Sequence, residues 1–131
     1  LPDSEDAMTW TIGDEGFGMT LSARVPALIG EHLRGWLVEW LARCGPGLTP
    51  ADIGSWAVHP GGPRVLDAVT EGLHLPAGAT AVSREVLAEH GNMSSPTVLF
   101  ILQRLIRRGA KRPCVALAFG PGLVVEAALL G

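Results

Sequence analysis

The sequence has few of the features that mark a membrane protein, a metal site or a nucleic-acid-binding surface. No segment approaches the roughly twenty uninterrupted apolar residues that a membrane span requires. The two cysteines, Cys44 and Cys114, have no histidine or second cysteine nearby at metal-ligand spacing. The 10 basic residues are outnumbered by 13 acidic ones, and the largest basic cluster lies within residues 107–112. The sequence therefore predicts no membrane, no metal and no nucleic-acid partner.

Cysteine is scarce, and no secretory leader precedes either cysteine. Both observations are typical of a reducing compartment, so we expect a cytoplasmic protein. A chain of 131 residues is long enough to bury one substantial core and predicts one compact domain. Because 47% of the residues are apolar, we expect a large core or a large interface.

Hydrophobic patterns predict the order of the secondary-structure elements. Residues 1–7 are acidic and lack a pattern, so we expect a loose lead-in or a linker, followed by one domain over residues 8–131. Alternation from Met8 to Ser22, around Gly-Asp-Glu-Gly, predicts a β-hairpin. Helical spacing of apolar residues predicts helices over 26–44, 63–73, 83–90 and 95–108. Short apolar runs predict strands over 53–58, 115–119 and 123–130. This order indicates an α/β fold, a layered domain whose mixed β-sheet is covered by helices.

Two details of the helices are also predicted. Ser83 is expected to cap the third helix, and Ser95 with Pro96 to open the fourth. The fourth helix should have an apolar inward face, made of Val98, Ile101, Leu102, Leu105 and Ile106.

His59 lies at the carboxyl end of a predicted strand, just before a glycine turn. Sheets of α/β proteins place ligands and reactive groups there, so His59 is a candidate acid, base or hydrogen-bond donor. A histidine in this position can equally hydrogen-bond a loop carbonyl and have no further role. Gly61 and Gly62 allow a ligand or another backbone to approach closely, although a glycine pair can also simply form a turn.

Asn92 lies in a loop between two predicted helices, where its amide could point into a cleft or bridge the turn, as asparagine often does. The segment Gly120-Pro121-Gly122 joins two apolar strands, and either a hairpin connection or a pocket wall would fit it. Position alone leaves both alternatives open for each segment.

Three segments together resemble one family, and they occur in the right order. They read Trp-Ala-Val-His-Pro-Gly-Gly-Pro at 56–63, Gly-Asn-Met-Ser-Ser at 91–95, and Phe-Gly-Pro-Gly-Leu at 119–123. The chain resembles the carboxy-terminal domain of type III polyketide synthases of the chalcone and stilbene synthase kind, with similarity from Thr9 to Leu130. The resemblance implies a thiolase fold, in which two related α/β halves share one active site. This chain would be the second half.

Family members use a cysteine, a histidine and an asparagine, and the resemblance assigns the last two to His59 and Asn92. The nucleophilic cysteine would belong to the missing amino-terminal half. Cys44 falls at a helix carboxyl end, where the dipole disfavours a thiolate. Cys114 begins a strand, and both cysteines are expected to be structural.

The resemblance also implies substrates and pocket residues. The intact enzyme would extend an acyl-CoA starter with malonyl-CoA by decarboxylative condensation, using coenzyme A thioesters as substrates and no cofactor. Gly61 and Gly62 would lie near the thioester, with Ser94 and Pro121 on the wall of the cyclisation pocket. Met19 falls where plant members generally have a gating phenylalanine. The isolated chain is expected to be inactive.

The sequence is also compatible with two other functions. A ketosynthase of the 3-oxoacyl-acyl-carrier-protein synthase III type is disfavoured, because His59 is followed by Pro-Gly-Gly rather than the Gln-Ala-Asn that those enzymes tend to show. A non-catalytic assembly module would keep the fold without the chemistry. The surface bared by the missing half, including the hairpin and the strands over 115–119 and 123–130, predicts a homodimer.

Overall fold

The fold begins with a hairpin of two strands, β1 (Met8–Gly13) and β2 (Gly16–Leu21). The strands pair antiparallel, as the alternating pattern predicts, and the register places Trp10 opposite Met19. They form a two-stranded sheet of their own, separate from the main sheet. A hydrogen bond from Ser22 N–H to the carbonyl of Ala7 closes the base of the hairpin at 2.9 Å.

The main sheet has three strands in the computed structural model, which describes residues 1–131 except for the side chain of Phe17. These strands are β3 (Ser55–Val58), β4 (Cys114–Gly120) and β5 (Val124–Leu130). The spatial order is β3-β4-β5, with β3 parallel and β5 antiparallel to the central β4. The sheet is therefore mixed, as predicted.

All four predicted helices are present. They are α1 (Val25–Cys44), α2 (Pro63–Gly72), α3 (Ala81–His90) and α4 (Pro96–Arg107). Two short 3-10 helices, Pro50–Asp52 and Pro121–Leu123, lie in the connections before β3 and between β4 and β5. No helix among the described residues is both long and apolar enough to cross a membrane.

The helices form one layer on each face of the sheet. Val115 and Leu117 of β4 belong to the core with α1 and α2, whereas Cys114 and Ala116 belong to the core with α3 and α4. Successive strand residues point to opposite faces, so this alternation divides the two cores. Since helices cover both faces of β4, its continuous apolar run is explained. A fully buried leucine such as Leu117 contributes about 1.5–3 kcal/mol relative to an exposed one.

Two expectations about local structure are corrected, and the predicted opening of α4 by Ser95 and Pro96 is confirmed. Helix α3 begins at Ala81 with Thr80 at its N-cap, so Ser83 lies inside the first turn and does not cap it. Ser95 does occupy the N-cap of α4, but its side chain makes no capping hydrogen bond. Ile106 is 63% exposed, so it does not belong to the inward face of α4.

The lead-in and the exposed apolar surface also differ from expectation. Ser4 and Ala7 are buried, and the Ser4 hydroxyl donates to the carbonyl of Gly122 at 3.2 Å, so residues 1–7 are packed against the domain rather than loose. Most of β4 is covered by the chain's own helices and is not an exposed apolar strand. In β5, Val124 is exposed, while Val125 is buried.

Candidate active site

Side chains from the hairpin, the end of β3, the loop before α4 and the end of β4 surround one cavity of about 450 Å³. Five residues that the sequence singles out line it, namely Met19, His59, Asn92, Ser94 and Pro121. These positions are up to 102 residues apart along the chain, so the fold brings separate motifs together. Gly61 and Gly62 are not among the lining residues.

The backbone around His59 is fixed on both sides. His59 N–H donates to the carbonyl of Leu117 on β4 at 2.8 Å, and Gly61 N–H donates to the carbonyl of His59 at 3.1 Å. The first bond continues the parallel ladder past the end of β3, and the second begins the glycine turn. The imidazole therefore lies at the carboxyl edge of the parallel pair, where α/β sheets place ligands.

The His59 side chain is half-buried, and burial lowers the pKa of its imidazole from the ordinary value of 6.5. Desolvation disfavours the charged form of histidine, so the ring is neutral at pH 7. No hydrogen bond joins either ring nitrogen to another described residue. A neutral imidazole has one N–H donor and one acceptor nitrogen, and both remain available to a molecule in the cavity.

Asn92 lies in the loop that follows α3, directly after the C-cap residue Gly91, whose φ is 70°. Its side-chain oxygen accepts a hydrogen bond from Ser94 N–H at 2.8 Å. The side-chain NH₂ has no partner among the described residues. The loop contact therefore orients the amide with its oxygen held by the backbone and its two N–H donors free.

The remaining predicted pocket residues have distinct settings. Met19 extends from β2 opposite Trp10. Ser94 has a φ of 62°, an uncommon conformation for a residue with a side chain and one that clusters at functional sites. Pro121 opens the 3-10 helix between β4 and β5.

The glycine turn is not required by packing within the chain. A Cβ on Gly62 would meet no atom within 4 Å, and one on Gly61 would meet Val65 at 3.5 Å, an ordinary contact. Neither glycine has the positive φ that excludes side chains. The chain's own fold therefore gives no reason for two glycines at this point.

Four apolar lining residues were not predicted as site residues: Met8, Trp10, Val98 and Ala118. Period-two alternation could have found two of them, because Met8 and Trp10 lie on the same face of β1. Ala118 lies on the same face of β4 as Ala116, next to the Phe-Gly-Pro-Gly motif. Val98 follows from the helical period once the start of α4 is known.

The cysteines lie elsewhere. Cys44 is exposed at the end of α1, Cys114 is buried at the start of β4, and neither lines this cavity. Within the described part of the chain, no group of three or more histidine, cysteine or acidic side chains could hold a metal ion.

Comparison with known families matches the whole chain to one of them. The model described as "Chalcone and stilbene synthases, C-terminal domain" matches residues 1–131, which include the lead-in that the motif comparison left uncovered. The 1,3,6,8-tetrahydroxynaphthalene synthase of Streptomyces peucetius subsp. caesius is 44% identical over 132 residues, covering 98% of this chain and 34% of that protein. The bisdemethoxycurcumin synthase of Oryza sativa subsp. japonica is 37% identical over 145 residues, covering 99% of this chain and 35% of that protein.

Solved structures agree in fold over nearly the whole chain. PKS-I from the brown alga Ectocarpus siliculosus superimposes with a TM-score of 0.90 at 33% identity, covering 98% of this chain and 36% of that chain. A fungal type III polyketide synthase, ORAS, superimposes with a TM-score of 0.84 at 31% identity, covering 98% and 38%. The thiolase-like α/β fold is therefore confirmed. The chain spans about a third of the length of these relatives, which is less than the half that the motifs imply.

Proposed function

The chain belongs to the family of chalcone and stilbene synthase C-terminal domains, and from that premise we propose that it supplies the catalytic histidine and asparagine of a type III polyketide synthase. One observation carries the proposal. His59 and Asn92, from two motifs 33 positions apart, line one cavity, and each has donors that no described residue occupies. The whole enzyme would join malonyl-CoA units to an acyl-CoA starter.

In the loading step, His59 would activate a cysteine supplied by the amino-terminal region. An imidazole beside a thiol takes its proton and stabilises the thiolate as an ion pair. The thiolate attacks the thioester carbonyl carbon of the starter, the carbon–sulfur bond to coenzyme A breaks, and coenzyme A leaves as the thiol after taking a proton. The starter is then held on the enzyme as a cysteine thioester.

In the extension step, His59 and Asn92 would both donate hydrogen bonds to the thioester carbonyl oxygen of malonyl-CoA. The bond between the malonyl methylene and its carboxylate breaks, carbon dioxide leaves, and the electron pair forms an enolate whose oxygen the two donors stabilise. The enolate carbon then attacks the cysteine-bound acyl group and releases the thiolate. Removing one such donor typically costs about 100- to 1,000-fold in rate.

The protonation state of His59 fits both steps. Burial lowers the pKa of the ring, so in the absence of a thiolate it stays neutral and able to accept a thiol proton. A thiolate nearby would raise the pKa again, because an opposite charge favours imidazolium. The same side chain can thus act as base in the first step and as donor in the second.

The glycine turn beside the cavity and three of the lining residues would shape the substrate's surroundings. Gly61 and Gly62 would let the coenzyme A thioester approach the backbone beside His59, a reading supported by the lack of any packing need for glycine there. Met19, Ser94 and Pro121 would form the wall against which the growing chain folds and cyclises. The reaction would use coenzyme A thioesters without a further cofactor, in the cytoplasm.

Because neither cysteine lines the cavity, the isolated chain should be inactive, and an amino-terminal region should complete it. The test is to combine the chain with the amino-terminal region of the longer protein and to follow consumption of malonyl-CoA and a panel of acyl-CoA starters. We expect condensation by the combined parts and none by either part alone. A folded complex without condensation would instead favour the non-catalytic assembly module, and transfer that requires acyl carrier protein would favour the ketosynthase.

A further inference from the structure

Buried hydroxyl groups lie beside the backbone of both proposed donors. Among the described residues, the buried polar side chains are Ser4, Thr80, Ser83 and Thr97. Each makes a hydrogen bond. The hydroxyl oxygens of Ser83 and Thr97 each accept a hydrogen bond from a backbone N–H. The donor residue is directly next to His59 for Ser83 and directly next to Asn92 for Thr97.

Ser83 hydrogen-bonds the unpaired edge of β3, at the residue just before His59. Strand residues direct successive N–H groups to opposite edges. Since His59 N–H donates to Leu117 on β4, Val58 N–H points to the other edge, where β3 has no neighbouring strand. Ser83 Oγ, from the first turn of α3, accepts that N–H at 3.2 Å in a fully buried setting. The hydroxyl therefore takes the place of a strand partner and fixes the backbone that carries the imidazole.

Thr97 makes the corresponding hydrogen bond to the loop that carries Asn92. Its Oγ1, in the first turn of α4, accepts Met93 N–H at 2.9 Å, and the side chain is fully buried. The next N–H, of Ser94, donates to the Asn92 side-chain oxygen at 2.8 Å. Met93 is thus tied to the helix, and the amide of Asn92 is oriented through the turn that follows.

The two hydroxyls belong to one helical unit. Arg104 of α4 forms two hydrogen bonds with Glu89 of α3, at 2.9 and 2.6 Å. Arg108 pairs with Glu85 one turn away at 2.7 Å. A bidentate arginine–carboxylate pair fixes geometry as well as adding attraction. Helices α3 and α4 therefore present Ser83 and Thr97 in a fixed relation to each other.

We propose that Ser83 and Thr97 are positioning residues that set the relative placement of the His59 imidazole and the Asn92 amide. This inference rests on the proposed function, since it assumes that these two side chains are the donors. Neither hydroxyl lines the cavity, so each acts through its neighbour and not by touching the substrate. Misplacement of a catalytic group by about 1 Å can cost on the order of 100-fold in rate.

The test uses the full-length protein and decarboxylation of malonyl-CoA. Thr97→Val removes the acceptor at nearly constant volume, and Thr97→Ser keeps it. We expect Thr97→Val to lower kcat by about 10- to 100-fold with little change in KM, and Thr97→Ser to stay within about threefold of the wild type. Ser83→Ala and Ser83→Thr form an independent second pair with the same expectation. Thr80→Val is the matched control, because Thr80 is also buried but its hydroxyl hydrogen-bonds the Thr70 hydroxyl and not an N–H beside His59 or Asn92.

A double-mutant comparison separates positioning from general stability. If Thr97 acts through Asn92, Thr97→Val should change the residual rate of an Asn92→Ala enzyme by less than about twofold. Equal kcat in Thr97→Val, Ser83→Ala and Thr80→Val, or losses that simply add to that of Asn92→Ala, would overturn the inference. Near wild-type rates in His59→Ala and Asn92→Ala would instead refute the proposed function itself.

Discussion

At the scale of single residues, the half-buried imidazole of His59 affects how the folded chain responds to acid. Burial lowers its pKa below 6.5, so the folded chain resists protonation at this position while the unfolded chain does not. As the pH falls through 6.5, the unfolded state therefore binds more protons than the folded state. Stability contributed by the neutral ring is present at higher pH and is lost as the pH falls.

We predict that the free energy of unfolding of the chain decreases as the pH is lowered from about 7.5 toward the depressed pKa of His59. Replacing the ring by the uncharged amide of His59→Gln should make this dependence shallower. Urea titrations of both chains across this range measure the difference, in which the contributions of the carboxylates cancel. Identical pH dependence in the two chains would contradict a burial effect on His59.

The glycine turn gives a second residue-scale prediction. Gly61→Ala and Gly62→Ala should leave the melting temperature of the full-length protein within a few degrees, because a Cβ has space at both positions. Their kcat/KM for coenzyme A thioesters should fall by about tenfold or more if a thioester approaches the backbone there. Gly54→Ala is the contrasting control, since its Cβ would lie 2.7 Å from a backbone carbon of Lys111 and should destabilise the fold. Unchanged kcat/KM in both turn variants would contradict the proposal that the thioester binds against this turn.

At the scale of secondary-structure elements, the close contact between α1 and α2 depends on the glycine at position 72. A Cβ on Gly72 would lie 3.1 Å from the Cα and 3.2 Å from the carbonyl oxygen of Gly30. These are backbone atoms, which cannot turn aside as a flexible side chain can. Gly30 lowers the helix propensity of α1 by about 1 kcal/mol relative to alanine. A Cβ on Gly30 would meet no atom within 4 Å, so the close approach of the two helices requires a glycine at position 72 and not at position 30.

We predict that Gly72→Ala destabilises the chain by about 1–3 kcal/mol, because the two helices must move apart. Gly35→Ala, in α1 and exposed, is the matched control: its Cβ would meet no atom within 4 Å. That change should stabilise the chain by about 0.5–1 kcal/mol through helix propensity. Denaturant unfolding of the three chains gives both values, and a neutral Gly72→Ala would mean that the helices pack less closely.

Periodicity predicted the elements well because it reports contacts between each element and the core. It placed all four helices and the mixed sheet, and the predicted ends of α1 and α2 lie within a residue or so of the observed ones. The prediction that Ser83 caps α3 was wrong, because its hydroxyl accepts the N–H of Val58, which lies 25 positions earlier in the chain. The prediction that Ile106 lies on the buried face of α4 was also wrong. An apolar residue on a helix is buried only if another element packs against it, and Ile106 is exposed.

Sequence motifs predicted the proposed donors of the site but not the residue that positions one of them. His59 and Asn92 follow from short strings, and the structure places both at one cavity. Thr97 carries no signal of its own, since its partner is a backbone N–H that any residue except proline would supply at position 93. Contacts between a side chain and a distant backbone leave no pattern in a single sequence.

At the scale of the whole molecule, the chain exposes large apolar side chains on α4 that its own fold does not cover. Leu99 and Ile106 are 62% and 63% exposed, and Phe100 lies between them in the sequence. Because the chain spans about a third of the length of its relatives, this surface is a candidate contact with the rest of a longer protein. In the isolated chain, a second protein surface would have to cover these apolar side chains.

We predict that the isolated chain forms a twofold homodimer, with an interface larger than about 1,200 Å². Sedimentation equilibrium at tens of micromolar would show it, and Leu99→Lys with Ile106→Lys should shift the chain toward monomer. Val38→Lys is the control, since Val38 is an exposed apolar residue of α1, on the other face of the sheet. A wild-type chain that is wholly monomeric would mean that the exposed surface needs no partner.

The central claim is that this chain supplies the two donors that stabilise the malonyl enolate. The most direct measurement is the release of carbon dioxide from malonyl-CoA by the full-length protein and by its His59→Ala and Asn92→Ala variants. Each variant should lose about 100-fold or more in rate while keeping the wild-type far-ultraviolet circular dichroism and melting temperature. Near wild-type release of carbon dioxide by both folded variants would contradict the account.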